Sequence, residues 1–212
     1  MRSPLAEDQR AALIEAMLPN VPFDGWSRPA LRAAARRIGM PADEALALFP
    51  NGAAELVACF SRWADQRMLD RLETVALDSL RISDRIALAI AIRLEIIAPS
   101  REAVRRALSV LTLPQRAALG LRLLYETIDG IWYAVGDRAT DFSFYTKRVT
   151  LAAVYAATLL YWLEDSSPDF ADTRAFLQRR LTEVASIGKA RQRFGVAVER
   201  MPNPVRLLRR FR

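Results

Sequence analysis

Apolar residues recur three and four positions apart along almost the whole chain, the spacing of helices buried on one side. Alternating β-branched runs are missing, and the only Asn-Gly pair, Asn51-Gly52, lies between helical stretches. Pro, Gly and capping residues divide the pattern into nine predicted helices. The first opens at Pro4 and ends near Leu18. Ser27 caps the second, with Pro29 in its first turn and Gly39 at its end. A short helix covers Ala42–Leu48 before Pro50, and a long one runs from about Ala53 to Leu80. Ser83 or Asp84 caps the next, through Ile97. Pro99-Ser100 opens one to about Leu111, and Pro114 opens another that Gly136 closes. Asp141 caps a helix through about Leu163, and Ser167-Pro168 starts the last core helix, to about Ile187. Short connections between helices predict an all-α bundle.

The second and third helices meet in a distinctive way. Ala34-Ala35-Arg36-Arg37-Ile38-Gly39-Met40 leads into a tight turn, and Leu48-Phe49-Pro50 closes the short helix. A small residue lets two helices approach, and Gly accepts the positive φ of the turn. The arrangement resembles the helix-turn-helix of TetR-type regulators. Its chemistry opposes DNA binding, however. The helix that would enter the major groove carries Asp43 and Glu44 and no base. Base edges and phosphates call for Arg, Lys, Asn or Gln there. DNA is therefore not an expected partner, and the element reads as a helix-turn-helix remnant.

Composition narrows the chemistry. The chain has 212 residues, 52% of them apolar, enough for a sizeable core. It has no His and one Cys, Cys59. That excludes Ser-His and Cys-His catalysis, imidazole metal ligands, Cys-based zinc sites and an internal disulfide. No catalytic residue, metal site or cofactor is expected. The net charge of +7 sits wholly in Lys189–Arg212, which holds eight bases and one acid; the other 188 residues carry 23 of each. A basic tail suggests an anionic partner. The longest uncharged stretch, Val149–Leu163, is too short to span a bilayer. With no targeting segment in view, the chain is expected to be intracellular and soluble, with any membrane contact peripheral.

The C-terminal half carries a more specific pattern. It reads Leu111-Thr112-Leu113-Pro114, Trp132-Tyr133-Ala134-Val135-Gly136-Asp137, Thr140-Asp141-Phe142-Ser143-Phe144-Tyr145-Thr146-Lys147-Arg148, then Asp165-Ser166-Ser167-Pro168-Asp169-Phe170-Ala171-Asp172-Thr173 and Phe176-Leu177-Gln178-Arg179-Arg180. This string resembles the Coq-nine family, accessory proteins of ubiquinone biosynthesis, over about residues 28–187. It departs at Phe144, where Trp occurs in some relatives, and at Gly130, where an acid is expected. The resemblance implies a TetR-like fold that has lost DNA binding. It implies an isoprenoid quinone or other lipid as ligand, and the di-iron hydroxylase acting on demethoxyubiquinone as partner. It also places a partner surface around Asp129, Ile131, Trp132, Asp141, Phe144 and Tyr145. On the residues alone, the same cluster reads equally as N-capping by Asp141 with ordinary aromatic packing. A homodimer is left open, and so is a ligand-responsive TetR-like regulator as the alternative function.

Two further segments have a physical reading of their own. The predicted helix Thr146–Leu163 is apolar all round, so it is buried or lines an apolar cavity. Leu151, Val154, Tyr155, Thr158, Leu159 and Trp162 share one face, and all of these but Leu159 are the candidate lipid-pocket residues; Ala152, Ala153, Ala156 and Leu160 lie opposite, a small side that leaves room for an isoprenoid chain. The tail combines apolar Phe194, Val198, Leu207, Leu208 and Phe211 with Arg193, Arg209 and Arg210. A basic amphipathic segment of this kind suits a membrane surface, though docking on its own domain is the alternative. The expected organisation is one TetR-like unit: residues 1–80 with the helix-turn-helix, a lipid-binding core at 81–187 and the basic tail at 188–212. The expected location is cytoplasmic, peripheral at the inner face of the membrane, or the mitochondrial matrix side in a processed eukaryotic form.

Overall fold

The computed structural model describes the backbone of residues 4–136 and 143–199, and side chains within residues 5–136 and 145–186. Every regular element among them is helical. The α-helices are α1 (Pro4–Met17), α2 (Val21–Asp24), α3 (Arg28–Arg37), α4 (Ala42–Leu48), α5 (Ala53–Glu73), α6 (Ile82–Ile97), α7 (Arg101–Leu111), α8 (Ala117–Ala134), α9 (Ser143–Glu164) and α10 (Ala171–Glu199). The nine predicted helices are all present. The tenth, α2, is a single turn with Pro at its start, too short to leave a periodic signal.

Helices α1, α3 and α4 form the N-terminal unit. Ser27 Oγ accepts from the Ala30 amide at 3.3 Å and caps α3, and Gly39 takes φ +72° in the turn into α4. Ala30, Leu31, Ala34, Ala35, Ala45 and Phe49 are buried with Leu13, Ile14 and Met17 of α1. Arg10 of α1 closes this unit. Its guanidinium donates to the Leu48 carbonyl at the end of α4, pairs with Glu55 at 3.1 Å and lies 4.2 Å from the centre of the Phe49 ring.

Helix α5 links the two halves. It packs against α1 on one side and against α6, α7 and α8 on another; α9 covers α8, and α10 lies on α9 and α6. The last carbonyls of a helix lack intrahelical donors. In α9 two arginines of α7 supply them: Arg101 donates to the Trp162 and Asp165 carbonyls, and Arg105 to the Leu163 carbonyl at 2.9 Å. The turn into α10 is held by Asp165. It accepts from the Ser167 amide at 2.7 Å, the Thr173 amide at 2.9 Å and the Thr173 hydroxyl. Burial works to raise its pKa, but these hydrogen bonds prevail and hold the carboxyl well below the usual carboxylate range. Within the turn Asp169 and Phe170 take φ of +50° and +56°, a costly conformation for side chains other than Gly. Phe170 is fixed there by Trp162, 5.8 Å away, and by the Arg101 guanidinium at 5.3 Å.

Three boundaries differ from expectation. The long fifth helix stops at Glu73 rather than Leu80, and a 3₁₀ turn at Leu77–Ser79 follows. The next helix starts at Ile82, with Arg81 at the cap position and no side-chain cap, so neither Ser83 nor Asp84 plays that part. Helix α10 continues through Gly188 to Glu199. One Gly costs about 1 kcal/mol in a helix and need not end it. The predicted cap Asp141 lies outside the described residues.

Candidate functional site

The larger half does not fill its interior. A cavity of about 290 Å³ lies among α5, α6, α7, α8 and α9. That is near the lower end of the ~300–1,000 Å³ range of ligand pockets. Its wall is mostly apolar, with Phe60, Ile97, Leu108, Leu111, Leu123 and Leu159 contributing from all five helices. Small residues also stand in its wall. Gly120 of α8 and Ala156 of α9 line it, as does Ala107 of α7.

A polar network interrupts this wall. Arg93 sits on the buried face of α6, in line with Ile86, Ala89, Ile90 and Ile97. Its Nε donates to Asp65 at 2.7 Å, one Nη to the Tyr155 hydroxyl and the other to Ser61 Oγ at 3.2 Å. The Thr127 hydroxyl donates to Asp65 at 3.0 Å. Burial opposes the Arg93 charge, yet Tyr155 and Asp65 outweigh it and leave the guanidinium pKa above its ordinary value. Burial also pushes the Tyr155 phenol up. Ser61, Arg93, Thr127 and Tyr155 all line the cavity.

Of the expected pocket residues, only Tyr155 does so. Leu151, Val154, Thr158 and Trp162 are buried and do not line this cavity. The physical reason is volume. Large side chains close the space on their own face, and the cavity opens beside Tyr155 toward Ala156, Leu159 and Leu160. Thr158 spends its hydroxyl on the Val154 carbonyl at 2.7 Å, within its own helix. Reasoning from sequence missed Arg93, Asp65, Ser61 and Thr127. One signal was available, a lone Arg inside the apolar run Ile90–Leu94.

The expected partner patch is also partly corrected. Ile131 is 0% and Trp132 8% exposed, so both belong to the core and not to a surface. They follow the inward stripe of α8 through Leu123, Thr127 and Ile128. Asp129 lies at the surface, where it accepts from Arg148 at 2.7 Å. Tyr145 is 68% exposed. Tyr133, unremarked in sequence, is 82% exposed and stands in an outward row with Leu121, Tyr125 and Asp129 at four-residue spacing. Asp141 and the side chain of Phe144 lie outside the described residues. So do Arg193, Phe194 and Val198 as side chains, and Leu207, Leu208, Arg209, Arg210 and Phe211 altogether.

Fold and cavity together define an all-α protein of the TetR-like class, hollow in its larger half. A TetR transcriptional regulator from Nitrosomonas europaea overlays with a TM-score of 0.68 at 26% identity, covering 84% of this chain and 98% of that one. The COQ9 family model matches residues 117–188. The mitochondrial ubiquinone biosynthesis protein COQ9 of Xenopus tropicalis is 35% identical over 86% of this chain, and the human protein 33% over the same share. The chain is a homologue of the COQ9 proteins. It spans 59% of the length of each of these two relatives.

Proposed function

We propose that this chain is a lipid-binding accessory protein of ubiquinone biosynthesis rather than an enzyme. The carrying observation is the apolar cavity among α5–α9, in a homologue of proteins named for that pathway. It holds an isoprenoid quinone intermediate and presents it to the demethoxyubiquinone hydroxylase. Apolar burial supplies affinity at about 25 cal/mol per Å². The cavity encloses one end of such a ligand, and the remainder of a long isoprenoid chain leaves it.

The partner docks at the α8–α9 end, where Asp129, Tyr133 and Tyr145 reach the surface. Exposed aromatics are favoured there because they bury large area with little entropy loss. The basic residues of 189–212 draw the protein to an anionic membrane face, each contributing on the order of 1 kcal/mol. That face is the matrix side in mitochondria, or the inner face of the cytoplasmic membrane in bacteria. A role as a DNA-binding regulator is disfavoured by α4, whose exposed Asp43 and Glu44 would meet phosphate charge.

Native mass spectrometry of gently purified full chain tests this reading. A co-purified isoprenoid quinone, or uptake of one on addition, is expected. A clean apo spectrum with no uptake overturns it.

A further inference from the structure

The polar network in the cavity wall leaves the proton of its buried phenol, Tyr155, without a partner among the described residues. The Asp65 carboxylate takes donors from Arg93 and Thr127. Arg93 spends its other two nitrogens on Tyr155 and Ser61. The Tyr155 oxygen is therefore an acceptor, and the guanidinium N–H that reaches it turns the phenol proton to the other side. That proton has no acceptor among the described residues. Tyr155 is only 4% exposed, so bulk water does not readily serve it. A buried donor left unpaired is costly, which favours a ligand that supplies the acceptor.

Charge sets the rest of the requirement. Arg93 and Asp65 form a close pair at 2.7 Å and cancel each other. A carboxylate entering beside them would be a third, uncompensated charge in an apolar cavity, and burying it is costly. A hydrocarbon would bring no charge but would leave the Tyr155 proton unmet. A carbonyl oxygen on a neutral headgroup satisfies both conditions.

We propose that the Asp65–Arg93–Tyr155 network selects a neutral ligand with an apolar chain and a carbonyl oxygen, to which the Tyr155 hydroxyl donates. Arg93 acts through Tyr155, fixing the direction of its proton, and Asp65 keeps Arg93 charged and in place. The inference rests on the lipid-binding reading above and adds which end of the ligand the cavity holds. The carbonyl end lies at α6 and α9, beside Arg93 and Tyr155, and the chain runs along the leucines of α7 and α8.

The test is displacement of the neutral fluorophore 1-aminoanthracene from the full chain by three probes: ubiquinone with a decyl tail, hexadecane and palmitate. Wild type should bind the quinone about ten-fold more tightly than either of the others, the worth of one hydrogen bond. Tyr155→Phe removes only the hydroxyl. It should erase most of that advantage while leaving hexadecane binding within about two-fold. If wild type binds hexadecane or palmitate as tightly as the quinone, headgroup selection is wrong and the lipid-binding reading stands. If Tyr155→Phe weakens quinone and hydrocarbon alike, the hydroxyl is structural and the proposal also falls. If none of the probes displaces the fluorophore, the lipid-binding reading itself falls, and this inference with it. The wild-type ranking decides the matter alone should the variant fail to fold.

Discussion

The N-terminal unit and the larger half use the same two devices to opposite ends. Each buries an arginine against a carboxylate, Arg10 with Glu55 and Arg93 with Asp65. Arg10 closes the end of α4 and lies on Phe49, so its charge is spent on packing contacts. Arg93 stands in the wall of a cavity and orients a tyrosine there. Small residues divide the same way. Ala30, Ala34, Ala35 and Ala45 are fully buried and let helices close on one another. Gly120 and Ala156 stand in the cavity wall instead. A small residue or a buried pair does not by itself announce a site; what faces it decides. In the N-terminal unit neighbouring helices fill the gap, and α4 turns Asp43 and Glu44 to the surface. In the larger half the gap is kept.

The largest expected effect comes from breaking the second pair. Asp65→Ala leaves the Arg93 charge buried without its carboxylate, which costs about 3–5 kcal/mol of stability. Urea unfolding followed by circular dichroism measures it. A loss below about 1 kcal/mol would mean that water reaches Arg93 freely, and the contrast between a sealed and a hollow half would weaken.

Asp165 offers a smaller and pH-dependent effect. Its folded-state pKa lies below the unfolded value of about 3.9. The stability it contributes is therefore fully present above that value and is lost as pH falls through the folded pKa. Asp165→Ala should cost roughly 1–3 kcal/mol near neutral pH, since Ser167 and Thr173 lose their acceptor. The variant should also lose part of the acid sensitivity, so the two unfolding curves converge as pH drops below about 4. Parallel curves would show that another group carries the acid dependence.

The smallest effect has the opposite sign. A Cβ built on Gly120 would meet Leu111 at 3.6 Å, an ordinary contact. Gly120→Ala should therefore stabilise α8 by up to about 1 kcal/mol through helix propensity. A loss of stability at this position would show that α7 and α8 are packed as tightly there as the alanines of the N-terminal unit.

The fold was legible because its determinants are local. Ser27, Gly39 and Gly136 stand at the ends the pattern assigns them, and the apolar spacing places nearly every helix. The helix-turn-helix and the family resemblance were readable in short strings. The cavity was not, because hollow space depends on which side chains of five helices face each other. In the uniformly apolar α9 the small Ala side hints at room, but its spacing does not separate filled core from void. Trp162 looks like a pocket residue by spacing and lies instead under Arg101. Ile131 and Trp132 carry aromatic and apolar bulk that suits either a patch or a core, and the inward stripe of α8 decides for the core. Arg93 was missed although it left a signal, since a lone charge in an apolar helix is buried only with a partner.

Filling the hollow tests whether the ligand sits there. Ala156 lines the cavity from α9, and Ala156→Phe places a ring in it. Binding of decyl-tailed ubiquinone to wild type and variant is compared by titration, alongside their thermal midpoints. Quinone affinity should fall about ten-fold or more while the midpoint holds within a few degrees, because the ring occupies space that the folded protein leaves open. Unchanged quinone affinity in a folded Ala156→Phe variant would contradict this and place the ligand elsewhere.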